Sequence, residues 1–216
     1  MALETVFPPF GLRIASGPLE LRPLRDDDLD AYAALVTDDL FPGAERDADH
    51  VFGWWRESQR EGALPSLRWI WRQRVDFGPD AWRFTLGVFE AGRLIGVQDL
   101  AAGDFAVLRL VTSGSFLHPD ARGRGLGTLM RRAVLTLAFD HLGAVRAESR
   151  ATLDNARSRR VSAKVGYAEQ GTSLRAEGAR AITEVCMVVT PDTFVRGPEP
   201  VAVTGLTPAL RALLGA

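Results

Sequence analysis

A glycine-spaced loop constrains this chain more than any other feature. Residues 117–128 read LHPDARGRGLGT, with Gly123, Gly125 and Gly127 at every second position. Glycine adopts backbone conformations that a Cβ atom forbids, so several backbone N–H groups can converge on one anion. From Leu126 onward apolar residues recur at helical spacing, which predicts a helix whose positive N-terminal end faces the loop. The sequence therefore predicts a phosphate-binding loop.

Two arginines, Arg122 and Arg124, are expected to add charge-assisted hydrogen bonds to the anion. A Walker-type loop is disfavoured because it needs a lysine that the loop lacks. A Rossmann dinucleotide loop spaces its glycines differently, although Glu148 lies near the end of the next strand, about 20 residues on, where a ribose-binding acid would be. A glycine-rich turn without a ligand is a further alternative.

Composition bounds the class of protein. The chain has 216 residues, 46% of them hydrophobic and 25% charged, which predicts one sizeable domain. A net charge of −1 argues against a binder of nucleic acid or of anionic membranes. Residues 1–11 lack the features of an export signal, and a single cysteine, Cys186, fits a reducing cytoplasm. His50, His118 and His141 are too scattered to predict a metal site.

Strand and helix signals alternate along the chain, which predicts a mixed, mostly antiparallel sheet flanked by helices. Strands are expected at residues 19–24, 84–90, 94–100, 107–117, 145–149 and 183–190, and helices at residues 29–36, 49–61, 67–75, 126–138, 155–165 and 208–214. Residues 1–16 are expected to form an N-terminal arm and residues 17–190 the domain. Residues 191–216 are expected to form an extension that packs on the domain or on a partner subunit.

Two motifs resemble those of one enzyme superfamily. The pattern Arg122-x-x-Gly125-x-Gly127 resembles the acyl-coenzyme-A pyrophosphate loop of the GNAT acyltransferases. Residues 155–167, NARSRRVSAKVGY, resemble the Asn-x-x-Ser-x-x-Val-x-x-Lys-x-Gly-aromatic signature of its RimJ/RimL-like branch, which contains the ribosomal-protein N-terminal acetyltransferases. The opening LELRPL is similar to the same branch. The resemblance covers residues 17–190.

The resemblance implies the GNAT acyl-CoA acyltransferase fold, in which the fourth and fifth strands splay apart. It implies a cytoplasmic enzyme, which could be a homodimer, that transfers an acyl group from acetyl-CoA or another acyl-CoA. The acceptor would be the primary amine of a protein N-terminus, a lysine or a small molecule, with no nucleic acid, membrane or metal involved. The implied CoA-binding residues are Phe116, Leu117, His118, Arg122, Gly123, Arg124, Gly125, Leu126, Gly127, Thr128, Asn155 and Ser158.

The resemblance also implies direct attack of the amine on the thioester, with the backbone around Leu117 hydrogen-bonded to the thioester oxygen. Ser162 occupies the position where many members carry a tyrosine that protonates the leaving thiolate. The alternative is that Ser162 is a small polar residue on the buried face of its helix. Cys186 lies in an apolar run without a local activator, which favours a buried strand residue over a nucleophile.

Glu148 lies where family members often carry a glutamate, and it is the candidate general base. The alternation of Arg146, Glu148 and Arg150 offers an alternative, an ion pair on one face of the strand. Asp99 and Glu184 are further carboxylates in or beside strands. His118 is another candidate for the base or for a cofactor contact.

Substrate specificity in this architecture comes from the segment before the second strand and from the last hairpin. The first holds four tryptophans, of which most are expected to be core residues: Trp54, Trp55, Trp69 and Trp71. Four arginines are surface charges or recognise a carboxylate on the acceptor or on a donor such as succinyl-CoA: Arg72, Arg74, Arg175 and Arg180. A second class of function is a CoA-binding regulatory module that has lost turnover.

Overall fold

The computed structural model describes residues 2–43, 46 and 48–216, and these form a nine-stranded sheet. The strands are β1 (Arg13–Ser16), β2 (Leu19–Pro23), β3 (Ala81–Glu90), β4 (Arg93–Gly103), β5 (Leu110–Leu117), β6 (Arg146–Thr152), β7 (Ala168–Glu177), β8 (Arg180–Val189) and β9 (Val201–Thr204). Their order across the sheet is β7-β8-β6-β5-β4-β3-β2-β1-β9. Within the described ranges the β5–β6 pair is parallel and every other pair is antiparallel.

Helices cover both faces of this sheet. They are α1 (Leu3–Val6), α2 (Leu29–Thr37), α3 (Gly53–Glu61), α4 (Leu64–Val75), α5 (Phe105–Leu108), α6 (Leu126–Thr136), α7 (Ala156–Lys164) and α8 (Pro208–Leu214). A π-helical turn, Leu137–His141, extends α6. In the described part of the chain, no helix has the length and apolar character needed to cross a bilayer. The predicted mixed, mostly antiparallel sheet with flanking helices is confirmed.

Two apolar cores hold the helices against the sheet. One packs α6 onto the sheet and includes the fully buried Leu135 and Leu137. The other packs α2, α3 and α4 onto the opposite face and includes Trp55 and Ile70. Burial of a side chain of this size contributes about 1.5–3 kcal/mol, so these faces fix the helices in place. Of the four tryptophans between α2 and β3, Trp55 is buried, Trp54 and Trp69 are partly buried against this core, and Trp71 is exposed.

The termini contribute to the sheet. Strand β1 lies within the predicted N-terminal arm, but it pairs with both β2 and β9, and Ile14 is fully buried. The arm is therefore part of the sheet from residue 13 onward. The C-terminal extension supplies β9 and then α8, whose Leu210 and Leu214 are fully buried. In addition, the indole N–H of Trp82 donates to the Leu214 carbonyl oxygen at 3.0 Å.

Strands β5 and β6 separate halfway along their length. Their pairing begins at Leu110 and Arg146 and ends at Ser113 and Ser149. Beyond that point residues 114–117 of β5 stay paired with β4, and β6 stays paired with β8 through Thr152. The sheet therefore opens into a V whose apex lies at the two serines. Counted from β2, these are the fourth and fifth strands, so the predicted splay is confirmed.

Candidate active site

A cleft of about 770 Å³ occupies the V between β5 and β6. It is lined by the free halves of both strands, by the loop of residues 122–128 (the glycine loop), and by residues of α6 and α7. Its other rim comes from residues 49–54 and from the β7–β8 hairpin. Nine of the predicted CoA-binding residues line this cleft: Phe116, Leu117, Arg122, Gly123, Gly125, Gly127, Thr128, Asn155 and Ser158.

The glycine loop presents free backbone donors. Gly123 and Gly125 have φ values of +77° and +83°, in the left-handed region that favours glycine. The loop leads into α6, where the N–H groups of Thr128 and Leu129 both bond to the Gly125 carbonyl oxygen. In the described part of the chain the N–H groups of residues 123–127 have no hydrogen-bond acceptor. A run of free N–H groups at a helix N-terminus is a site for an anion.

Arg122 supports this loop from inside. Its Nε donates to the Leu117 carbonyl oxygen at 2.9 Å, and its Nη2 donates to the Leu40 carbonyl oxygen at 2.6 Å. The guanidinium also lies 5.5 Å from the ring centroid of Phe41, and burial lowers the pKa of this arginine. Arg122 therefore joins the end of β5 to the segment after α2 and holds the glycine loop in position.

Three predicted CoA-binding residues do not line the cleft. Arg124 forms a bidentate ion pair with Glu90, at 2.6 and 2.8 Å, on the outside of the loop. The His118 ring lies 3.1 Å from a carboxylate oxygen of Asp38, and the backbone N–H of His118 donates to the Ile95 carbonyl oxygen. Leu126 is buried in the α6 core. The side chains of these residues are therefore engaged elsewhere, although the N–H of Leu126 belongs to the free run described above.

The N–H of Leu117 points into the cleft. Backbone groups of successive strand residues point to opposite edges, and the N–H of His118 points toward β4. The N–H of Leu117 is consequently directed away from β4, toward the V. The Leu117 carbonyl oxygen, which accepts from Arg122, points the same way. A donor at this position can bond an oxygen held between the two strands.

Helix α7 borders the cleft on the β6 side. The Asn155 side-chain oxygen accepts from the Ser158 N–H at 3.0 Å, as an N-terminal cap. Arg157, Arg160 and Lys164 of this helix line the cleft. Together they add positive charge beside the glycine loop, where the loop's own N–H groups already favour an anion.

The predicted acid and base lie outside the cleft. Ser162 is fully buried on α7, and its hydroxyl has no hydrogen-bond partner among the described residues. Glu148 lies opposite Thr112 in the paired half of β5 and β6, and its carboxylate accepts from Arg146 at 2.7 Å. Since neither residue lines the cleft, the structure favours the alternatives, a buried helix residue for Ser162 and an ion pair for Glu148.

The other candidate bases differ in position. Asp99 lies on β4 with an oxygen 3.4 Å from Nη1 of Arg83, and burial raises its pKa to about 6. It does not line the cleft, whereas Glu184 of β8 does. Cys186 also lies outside the cleft lining, and its thiol contacts the Ser173 hydroxyl at 3.4 Å.

Two sets of ion pairs, here together named the charged rim, lie on the side of the cleft that includes Glu184. Its members are Asp49, Arg56, Arg175, Glu177, Arg180 and Glu184. Arg175 donates to Glu177 at 2.7 Å and to Glu184 at 2.9 Å, and these hydrogen bonds raise its pKa. Arg56 donates to Glu177 at 3.2 Å, and Arg180 pairs with Asp49. The charged rim thus ties the β7–β8 hairpin to the segment around α3.

Arg131 lines the cleft, although the sequence analysis does not single it out. Arg131 lies on α6, three residues after Thr128. The helical spacing of the apolar residues predicts only that it is a polar residue beside the apolar stripe. In the structure Arg131 is 3% exposed and lies at the apex of the V.

Among the described residues no group of three or more His, Cys, Asp and Glu side chains could hold a metal ion.

Comparison with known proteins adds to this geometry. Residues 18–168 match the model of a family described as an acetyltransferase (GNAT) domain. RimJ of Mycobacterium smegmatis, solved in complex with CoA-disulfide, has a similar structure, with a TM-score of 0.66 and 19% sequence identity. The similarity covers 83% of this chain and 86% of that one.

Two further solved structures share the fold. The ribosomal L7/L12 α-N-protein acetyltransferase RimL, in complex with coenzyme A, has a TM-score of 0.65 and 17% identity over 82% of this chain and 97% of that one. The spermidine N-acetyltransferase of Vibrio cholerae, in complex with CoA and spermine, has a TM-score of 0.62 and 17% identity over the same shares. At these identities the comparison establishes the fold.

Proposed function

Because this chain belongs to the acetyltransferase (GNAT) family of acyltransferases, we propose that it transfers an acyl group from acetyl-CoA or another acyl-CoA to a primary amine. The observation that carries this proposal is the run of free N–H groups at residues 123–127, beside a cleft between splayed strands. These groups would bind the pyrophosphate of CoA. The cations of α7 would then lie near the remaining phosphate, and the pantetheine arm would run down the V beside β5.

The reaction is a direct attack of the amine on the thioester carbonyl carbon. The new C–N bond forms as the C–S bond breaks, the nitrogen loses its proton to a base or to water, and CoA leaves as its thiolate, which takes a proton from solvent to become the thiol. The N–H of Leu117 would bond the carbonyl oxygen as it gains negative charge. Such a backbone donor typically contributes about 3 kcal/mol to the stability of the transition state. The position of Cys186 outside the cleft supports transfer without an acyl-enzyme.

The charged rim supports an amine acceptor. Glu184 and Glu177 line the cleft and would offer carboxylates to an incoming ammonium group, and Glu184 would take the proton that the amine loses. An α-amino group has a pKa of about 8 and needs little help, whereas a lysine side chain, at about 10.4, needs more. A thiolate with a pKa of about 8.5 leaves without a strong acid, which fits the position of Ser162 outside the cleft.

The RimL and spermidine acetyltransferase structures share the fold of this chain, so both a protein N-terminus and a small polyamine are acceptors to test. Release of free thiol from acetyl-CoA, measured against a panel of amines, peptides and ribosomal proteins, tests the proposal. An enzyme releases thiol only when an acceptor is present. Tight CoA binding without turnover on any acceptor would instead favour the regulatory module.

A further inference from the structure

A buried arginine lies at the apex of the V. Arg131 is 3% exposed, and its guanidinium lies between the two strands, with Nη1 3.3 Å from the Ser149 hydroxyl and Nη2 3.2 Å from the Ser115 hydroxyl. Its carbon Cζ lies 5.8 Å from the ring centroid of Tyr167. Arg131 also lines the cleft. Its charge therefore faces the deepest part of the site.

This charge has no carboxylate partner. Among the described residues no Asp or Glu forms an ion pair with Arg131, and its Nε is buried without an acceptor. A buried charge without a counterion carries a desolvation penalty of several kcal/mol, and two serine hydroxyls offset only part of it. A cation retained at this cost is expected to meet an anion that arrives with a ligand.

The geometry of the V indicates which ligand that is. The glycine loop follows the open end of β5, whereas Arg131 lies at the closed end, beside the last paired residues Ser113 and Ser149. If the loop binds the pyrophosphate, the pantetheine arm runs from the open end toward the apex. The acyl group, at the far end of that arm, then arrives next to the guanidinium.

We propose that Arg131 binds a carboxylate at the end of the acyl group, so that the preferred donor is an acyl-CoA of the succinyl type, a half-thioester of a dicarboxylic acid. This inference rests on the proposed function. A guanidinium matches a carboxylate with paired hydrogen bonds, which it cannot form with a single thioester oxygen. The thioester oxygen has its own donor in the N–H of Leu117, which lies two residues, roughly 6–7 Å, beyond Ser115 on β5, so the far end of a succinyl chain would extend from there toward the guanidinium.

The test compares a charged donor with a neutral one of similar shape. Calorimetry on the full chain measures the affinities for CoA, acetyl-CoA, succinyl-CoA and 4-methylpentanoyl-CoA, in which an isopropyl group replaces the carboxylate of the succinyl group. We expect succinyl-CoA to bind about 10- to 100-fold more tightly than the neutral analogue, as expected for buried hydrogen bonds between charged groups. Turnover with each donor is expected to follow the same order.

Variants assign this preference to one side chain. Arg131→Gln is expected to remove the preference for succinyl-CoA while CoA itself still binds, and Arg131→Lys is expected to retain part of it. Arg72→Gln, which changes an exposed helix arginine outside the cleft, is the matched control and keeps the preference. Should Arg131→Gln fail to fold, Arg131→Lys still tests the side chain, and the ranking of donors by the unmodified chain still tests the preference.

Three outcomes would overturn the inference. The first is equal binding of succinyl-CoA and its neutral analogue by the unmodified chain. The second is a preference that survives Arg131→Gln. The third is an equal loss of turnover with acetyl and succinyl donors in that variant, which would make Arg131 a donor to the thioester oxygen. Failure of CoA itself to bind would instead contradict the proposed function.

Discussion

The glycine loop and the charged rim lie at opposite sides of one cleft and are built in different ways. The glycine loop offers backbone N–H groups whose direction is set by local conformation, by two positive φ values and by the start of α6. The charged rim offers side chains from β7, β8, α3 and the segment before α3, brought together over long stretches of chain. One ion pair, between Arg56 and Glu177, joins residues 121 positions apart.

This difference separates a rigid site from an adaptable one. A backbone site is altered only by a substitution that blocks the loop or removes its support, so it suits a ligand that stays the same. A side-chain network on a hairpin can change its charges one at a time, so it suits recognition of an acceptor. The predictions below test this separation.

The largest effect is expected at Gly125. Gly125→Asp places a negative charge among the free N–H groups and requires a left-handed conformation, with φ at +83°, from a residue that adopts it less readily. We expect CoA affinity to fall by about 100- to 1000-fold, in line with the loss of several charge-assisted hydrogen bonds. Gly143→Asp is the matched control, because Gly143 has a φ of +74° and lies outside the cleft. Isothermal calorimetry with CoA measures both, and equal losses would contradict the loop assignment.

A smaller loss is expected at Arg122, because this residue supports the loop from within. Arg122→Ala leaves the Leu117 and Leu40 carbonyl oxygens without their donor and is expected to weaken CoA binding by about 10-fold. Arg124→Ala, which breaks an exposed ion pair with Glu90, is expected to stay within about 2-fold. A larger effect of Arg124→Ala would contradict the assignment of Arg122 as the residue that supports the loop and of Arg124 as a residue of an outer ion pair.

The charged rim is expected to affect the acceptor alone. Glu184→Gln is expected to lower kcat/KM for the amine by about 10-fold or more, as removal of a proton acceptor typically does, with CoA affinity unchanged. Glu148→Gln, in the paired half of β6, is expected to stay within about 2-fold. Initial rates at varied acceptor concentration distinguish the two, and the reverse order would restore Glu148 as the base.

The smallest effect is expected at the outer ion pair of the rim. Asp49→Ala and Arg180→Ala are each expected to change the acceptor KM by a few-fold, with a coupling of about 0.2–1 kcal/mol in a double-mutant cycle. A loss of CoA affinity in either variant would show that the two sides of the cleft are not separable.

The two regions also differ in how far the sequence predicts them. Gly123, Gly125 and the apolar spacing after Leu126 are local signals, so the loop and α6 follow from short-range rules. The roles of Arg124 and His118 depend on partners brought near by the fold, Glu90 and Asp38, and local patterns do not place them. Strand β7 carries no alternating apolar pattern because none of its residues is buried at the sheet edge. Arg131 reads as one more polar residue on α6 until burial and the splay of β5 and β6 are known.

The central claim is that the backbone N–H groups of residues 123–127 bind the pyrophosphate of CoA. The amide resonances of these residues in a ¹⁵N-labelled sample test it most directly, during titration with CoA and separately with pantetheine, which lacks the phosphates. The account predicts large downfield shifts of the 123–127 amides with CoA and little change with pantetheine. Unmoved 123–127 amides in a CoA-saturated sample would contradict it.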